Sequence, residues 1–135
     1  MAREIKFRGR SIIQGEGFHL GNYVSTNKGN YIITGEGEVG FFLVRIDPKT
    51  VGQFTGLLDK NGKEIFEGDI LETTCKGWDR ERCIVENLDP AGGYSFKGIN
   101  GNYWDYTDKD AYYAKRFLKI IGNVFENPEL LKGDA

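Results

Sequence analysis

The turn signatures Asp59-Lys60-Asn61-Gly62-Lys63 and Glu67-Gly68-Asp69 follow one another so closely that little more than the apolar pair Ile65-Phe66 fits between them. Asn-Gly adopts positive φ at little cost, so the first signature reads as the tip of a hairpin joining Leu57-Leu58 to Ile65-Phe66. The second is a tight turn in which Gly68 supplies positive φ and Asp69 bonds backbone N–H groups. Ile70-Leu71-Glu72-Thr73-Thr74-Cys75 then runs on as a strand. The rest of the chain has the same texture, with 19 glycines, three prolines and many Tyr, Phe, Ile and Val residues. No long helical stripe is visible. Short antiparallel strands joined by tight turns are expected.

Glu4-Ile5-Lys6-Phe7-Arg8 alternates polar and apolar residues, as a half-buried strand does. Asn27-Lys28-Gly29-Asn30 is a turn between Tyr23-Val24-Ser25 and Tyr31-Ile32-Ile33, and Asp47-Pro48 closes a strand over residues 41–46. Cys75 and Cys83 bracket a charged, Trp-tipped loop, Lys76 to Arg82, that reads as the end of a hairpin. Aromatics gather at Tyr94, Phe96, Tyr103, Trp104 and Tyr106. Residues 108–116 predict a short helix, with acids near its start and bases near its end. A strand over residues 117–125 follows, with Gly122 a bulge or a point of close approach. Asn127 and Pro128 suit an N-cap and a first helical position, so one helical turn should pack Leu130 and Leu131 back onto the sheet.

One stretch offers chemistry. Gly35, Gly37 and Gly40 spell G-x-G-x-x-G after the apolar run Tyr31-Ile32-Ile33. In a dinucleotide site these glycines open a helix whose N-terminal N–H groups take the pyrophosphate. Here they lead into Phe41-Phe42-Leu43-Val44-Arg45-Ile46, which favours another strand, and Glu36 and Glu38 would repel a phosphate. The reading is a turn, and neither NAD nor ATP is expected to bind. Ile12-Ile13-Gln14-Gly15-Glu16-Gly17 matches Ile32-Ile33-Thr34-Gly35-Glu36-Gly37 twenty residues on. That match is either two similar strand-and-turn units or chance.

The charge balance, 18 basic against 20 acidic residues, counts against a surface devoted to a phosphate backbone. No apolar run approaches the ~20 residues of a membrane helix, and Met1-Ala2-Arg3-Glu4 lacks a signal-peptide core, so the cytoplasm is the expected compartment and no membrane partner is expected. Cys75 and Cys83 are then free thiols. With His19 far away in sequence they cannot complete a zinc site, so no metal is expected. His19, between Phe18 and Leu20, would serve a Cys–His pair only within hydrogen-bond reach of a thiol. Asp105, Asp108 and Asp110 read as helix-start and solvating charges. No catalytic residue, no cofactor and no enzymatic activity are expected.

Arg3-Glu4-Ile5-Lys6-Phe7-Arg8, Gln53-Phe54-Thr55-Gly56-Leu57, residues 59–70 and Ile121-Gly122-Asn123-Val124-Phe125-Glu126-Asn127-Pro128-Glu129-Leu130-Leu131 occur together in the order found in the YopX-like proteins of phages and prophages. The chain resembles that family. It departs where the family often continues its first strand with Ala-Trp and this chain has Gly9-Arg10. The resemblance implies a mostly β fold with SH3-like barrel character and a phage or prophage setting, and it implies no activity. The expected fold is thus mainly β, a small antiparallel SH3-like barrel or roll with extra hairpins and short helical segments. It forms a single domain over residues 1–135, in which an N-terminal strand region, residues 1–50, packs on a central and C-terminal barrel, residues 51–131.

Of the functions such a scaffold could carry, an accessory module acting by protein–protein contact comes first, with itself, a phage protein or a host protein as partner. Single-stranded nucleic-acid binding is the alternative, because small barrels present aromatics for base stacking beside basic residues. The candidate surface for either is Lys76, Trp78, Arg80 and Arg82 with Tyr103 and Trp104.

Overall fold

Short strands separated by glycine turns form throughout the described chain, as the turn chemistry requires. The structure, a computed structural model, describes residues 5–35, 42–73, 82–88, 94–98, 103–106 and 111–131, with the backbone alone for residues 87, 88, 94, 95, 103–106 and 111–113. It divides into two compact units, residues 1–54 and 55–135.

In the first unit β1 (Phe7–Arg10), β2 (Phe18–Thr26), β3 (Gly29–Thr34) and β4 (Phe42–Arg45) succeed one another as antiparallel neighbours. The first residues of β5 (Gly52–Leu58) pair on the other side of β1, giving the order β4-β3-β2-β1-β5. The expected turn at Asn27-Lys28 joins β2 to β3, and the Tyr23 hydroxyl donates to Asn30 Oδ1 at 2.7 Å. β1 starts at Phe7, later than the alternation from Glu4 suggests; Ile5 is exposed and no packing extends the strand to it. The expected turn at Asp47-Pro48 is a 3₁₀ turn over Pro48–Thr50, capped by Asp47 Oδ1, which accepts from Lys49 N at 3.0 Å.

Past its last paired residues the sheet curls. Ser11, directly after β1, makes a single antiparallel bridge with Ile46, directly after β4. Ile12 N donates to Arg45 O at 3.1 Å, and Asp47 N to Arg10 O at 2.9 Å. Ile32, Ile46 and Phe54 are the buried apolar residues of this unit among those described.

Gly21 has no room for a side chain. A Cβ there would run into the Ile33 carbonyl, which belongs to the β2–β3 ladder and cannot step aside. Gly21→Ala is expected to destabilise the chain by about 1–3 kcal/mol, the usual cost of overpacking. Urea unfolding checks this as a lower midpoint at unchanged slope.

The glycine motif leads from strand to strand. Gly35 has φ 113°, and the chain returns as β4, antiparallel to β3. Where a dinucleotide site needs a helix there is a strand, although residues 36–41 themselves lie outside the described residues. The twenty-residue match is not a structural repeat: Ile32 and Ile33 lie on β3, whereas Ile12 and Ile13 sit exposed in a turn.

In the second unit the remainder of β5 pairs with β6 (Glu64–Phe66) around the Asn61-Gly62 tip, as the sequence indicates. Gly62 has φ 80° there. A five-stranded sheet follows, with β7 (Asp69–Thr73), β8 (Arg82–Leu88), β9 (Tyr94–Gly98), β10 (Tyr103–Tyr106) and β11 (Leu118–Asn123) in the order β10-β9-β8-β7-β11. Its core joins Leu57, Ile65, Leu71, Cys83, Val85, Phe96, Ala114 and Leu118. Ala114 comes from α1 (Ala111–Phe117), the helix expected over 108–116, of which residues 108–110 lie outside the described residues. The strand expected over 117–125 is β11, and its ladder with β7 shifts register between Ile120 and Gly122, the expected bulge.

The mainly antiparallel β class holds, and of the expected barrel or roll the described residues form antiparallel sheets without a closed barrel. Neither strand order returns to its start among the described residues, and the Ser11–Ile46 bridge of the first unit is one rung and not a ladder. In the second unit the reason is the Glu67-Gly68 turn. It takes the chain out of the β5–β6 pairing and into the five-stranded sheet, where Gly68 N donates to Val85 O at 2.8 Å and Val124 N donates to Gly68 O at 2.9 Å. Gly68 holds φ 91°, so the diversion is fixed by a backbone conformation that other residues resist.

Candidate functional site

Of the residues singled out for binding, Lys76, Trp78 and Arg80 lie outside the described residues, as does Cys75. Tyr103 and Trp104 are on β10, paired with Lys97 and Phe96 of β9. Arg82 starts β8 opposite Glu72. Its Nε stands 3.6 Å from Glu72 Oε2, and its guanidinium donates to the Leu130 carbonyl at 3.2 Å. These contacts commit the Arg82 charge to the fold. Phe96 and Cys83 are core residues and not surface ones.

The side chains that gather at a surface are elsewhere. In the first unit an open depression of about 600 Å³ has Ser11, Ile12, Ile13 and Glu16 along one stretch of its lining and Phe42, Leu43, Val44 and Arg45 along another, with His19 and Thr34 completing it. Ile12, Ile13, Phe42 and Leu43 are 57%, 59%, 60% and 65% exposed. Scattered exposed apolar residues are ordinary; four around one depression make it the candidate interaction surface.

Its polar groups form a short chain. Ser11 Oγ accepts from Ile13 N at 3.0 Å and donates to Glu16 Oε1 at 3.0 Å. The same carboxylate oxygen lies 3.5 Å from His19 Nε2, close enough for attraction if the ring is charged. The geometry makes no hydrogen bond, and Nε2 is buried without a partner. This is not a nucleophile relay. In one, the imidazole takes the hydroxyl proton and the carboxylate orients the imidazole. Here the carboxylate stands between the two, so Ser11 is not coupled to His19. No group of three metal-ligating side chains forms among the described residues.

Sequence reasoning missed this surface. The available signal was Ile12-Ile13, an apolar pair beside Gln14-Gly15 with no alternation to give it a buried face. Its match to Ile32-Ile33 pointed instead to a second strand.

The order of strands and turns in both units has counterparts among known proteins. The model of the family described as YopX protein matches residues 6–132. The chain belongs to the YopX family. Among solved structures, the crystal structure of protein EF1440 from Enterococcus faecalis is similar at 21% identity and a TM-score of 0.52, over 97% of this chain and 100% of that one. That likeness shows a shared fold. No curated protein matches the sequence.

The stretches that resemble the YopX pattern are turn and clamp residues. Asp69 Oδ2 accepts from Phe66 N at 2.7 Å, across the Glu67-Gly68 turn. Asn123 Oδ1 accepts from Phe125 N and Glu126 N, and Asn123 Nδ2 donates to Glu126 Oε1 at 2.9 Å. Asn127 precedes the expected turn, here a 3₁₀ turn over Pro128–Leu131, but its Oδ1 reaches back to accept from Asn123 N at 3.2 Å. A Cβ on Gly122 would stand 2.6 Å from that oxygen, so Gly122 and Asn127 fit only together. These stretches thus specify a scaffold. The apolar depression lies outside them, within the residues 6–132 that the family model matches.

Proposed function

We propose that this YopX-family chain is a non-catalytic accessory module in a phage or prophage setting, acting by protein–protein contact through the depression beside β4. The observation that carries the reading is the grouping of Ile12, Ile13, Phe42 and Leu43, all largely exposed, around one concave surface. Burying such side chains drives association, at about 25 cal/mol per Å² of apolar area removed from water before the costs of ordering are met. In this reading the protein works in the bacterial cytoplasm, with another phage or host protein as its partner or with a second copy of itself. The family resemblance supports the setting. It adds no activity.

Single-stranded nucleic acid is the weaker reading. Arg82, one of the cations that would meet phosphates, is engaged by Glu72 and the Leu130 carbonyl, and the formal net charge is −2.

Affinity capture from phage-infected cells tests the proposal. The wild-type chain is expected to retain a defined protein partner, and Ile13→Asp or Phe42→Asp to lose it while remaining folded, because both side chains are exposed. Retention of the partner by both variants removes the depression from the function. Labelled single strands that bind with a steep loss on added salt, the mark of counterion release, would put nucleic acid first.

A further inference from the structure

We infer that the depression is a strand-addition slot on the open edge of β4, shaped for an extended segment of a partner protein that carries a basic side chain among apolar ones. The inference rests on the protein-contact reading above and gives it a mode and a chemistry.

Phe42, Leu43, Val44 and Arg45 are consecutive on a strand, so their side chains alternate between its two faces. All four nevertheless line the same depression. A hollow running along the edge of the strand meets residues of both faces. It lies where another strand would lie.

The backbone agrees. Ile46 N donates to Asn30 O at 3.0 Å, and the register continues through Val44↔Ile32 to Phe42↔Thr34. Antiparallel ladders alternate bonded and non-bonded pairs, so Phe42, Val44 and Ile46 direct their peptide groups at β3 while Leu43 and Arg45 direct theirs outward. The Arg45 carbonyl is taken by Ile12 N. The N–H and C=O of Leu43 face the depression, and no described residue bonds them. The Ser11–Ile46 bridge is therefore the first rung of a pairing that no described residue continues, since the chain after Ser11 turns away through Gln14-Gly15. An added strand would continue it, with main-chain bonds for affinity and alternate side chains for choice.

Charge selects the segment. Glu16 uses Oε1 to hold Ser11 and leaves Oε2 without a described partner. Arg45 does not neutralise it: its Nε lies 3.2 Å from where a Gly29 Cβ would stand, and no ion pair joins Arg45 to Glu16 among the described residues. An apolar lining with one carboxylate, met among the described residues only by the Ser11 hydroxyl and the nearby His19 ring, favours a lysine or arginine between apolar residues.

Fluorescence polarisation of the full chain with two labelled, end-blocked hexapeptides is the test: Val-Thr-Val-Lys-Val-Thr, and the same peptide with Glu for Lys. The lysine peptide is expected to bind saturably, and the glutamate peptide about tenfold more weakly, since a charge-assisted contact is lost and a repulsion gained. Glu16→Gln should erase most of that difference. Leu43→Pro should abolish binding of both, because it deletes the outward N–H and spares the bonds of β4 to β3; proline is tolerated on an edge in this position. Circular dichroism confirms that the variants are folded.

Absence of binding by both peptides, equal binding, or full binding by Leu43→Pro overturns the slot. Concentration-dependent dimerisation that Leu43→Pro removes, and that the lysine peptide fails to compete with, makes a second copy the occupant and overturns the partner assignment. A partner captured from phage-infected cells and still held by Leu43→Pro and Glu16→Gln shows a protein-binding module that uses another surface, so the slot fails while the functional reading stands.

Discussion

Asp59→Ala is expected to destabilise the second unit by about 3–5 kcal/mol, because several buried N–H groups lose their acceptor and each costs about 1–3 kcal/mol when left unsatisfied. Asp59 is fully buried. Its Oδ1 accepts from Asn61 N at 2.8 Å and Lys63 N at 2.9 Å, and its Oδ2 accepts from Ile120 N at 3.0 Å. One carboxylate thus closes the β5–β6 tip and fastens it to β11, where Lys60 N also donates to Leu118 O at 2.8 Å. Alanine leaves three N–H groups without their acceptor. Asp59→Asn keeps the Oδ1 bonds but sets an amide donor against the Ile120 N–H, so about 1–3 kcal/mol is expected for it. Urea unfolding of both variants, followed by far-ultraviolet circular dichroism, gives the ranking. An alanine variant as stable as the wild type would mean that water replaces the carboxylate at no cost.

Phe96→Ala is the other large effect, expected to cost about 3–5 kcal/mol, the usual range for removing a buried aromatic side chain. Phe96 is fully buried on β9, among Leu71, Val85 and Leu118 from three other strands and Ala114 from α1. No neighbour of that set is long enough to fill the space it leaves. Calorimetry should show a lower melting temperature and binding of an apolar dye below the transition. Phe96→Leu, which keeps most of the volume, should recover more than half of the loss.

The two residues show where sequence reading succeeds and where it stops. Turns were legible because their chemistry is local: Asn61-Gly62, Gly68-Asp69 and Asp47-Pro48 each announce a conformation that their neighbours do not have to supply. The Gly122 bulge was legible for the same reason. Asp59 was visible only as part of a turn, because its third bond goes to Ile120, 61 residues away. Phe96 was one of five aromatics in a glycine-rich stretch, and nothing local says which of them points inward. The degree of closure was not legible, because it depends on which strands pair, and the Glu67-Gly68 turn sends β6 and β7 to different ladders. The depression beside β4 was hidden more deeply still. It is made by residues from four places in the chain, and the repeat-like match of Ile12-Ile13 to Ile32-Ile33 argued for the opposite arrangement.

The reach of Asp59 to Ile120 also sets an order of events during synthesis. Every described pairing of the first unit is complete by residue 54, so that sheet can form while later residues are still being added. The second unit cannot finish so early. β7, its most enclosed strand, stays open along one edge until β11 emerges, and the carboxylate at position 59 waits for the same segment to supply its last donor. Until then a nascent chain presents an apolar strand edge beside an incompletely compensated charge, the combination most prone to pair wrongly with a neighbour. Folding of this half is thus committed only when β11 arrives, and interruptions of translation before it are where aggregation should concentrate.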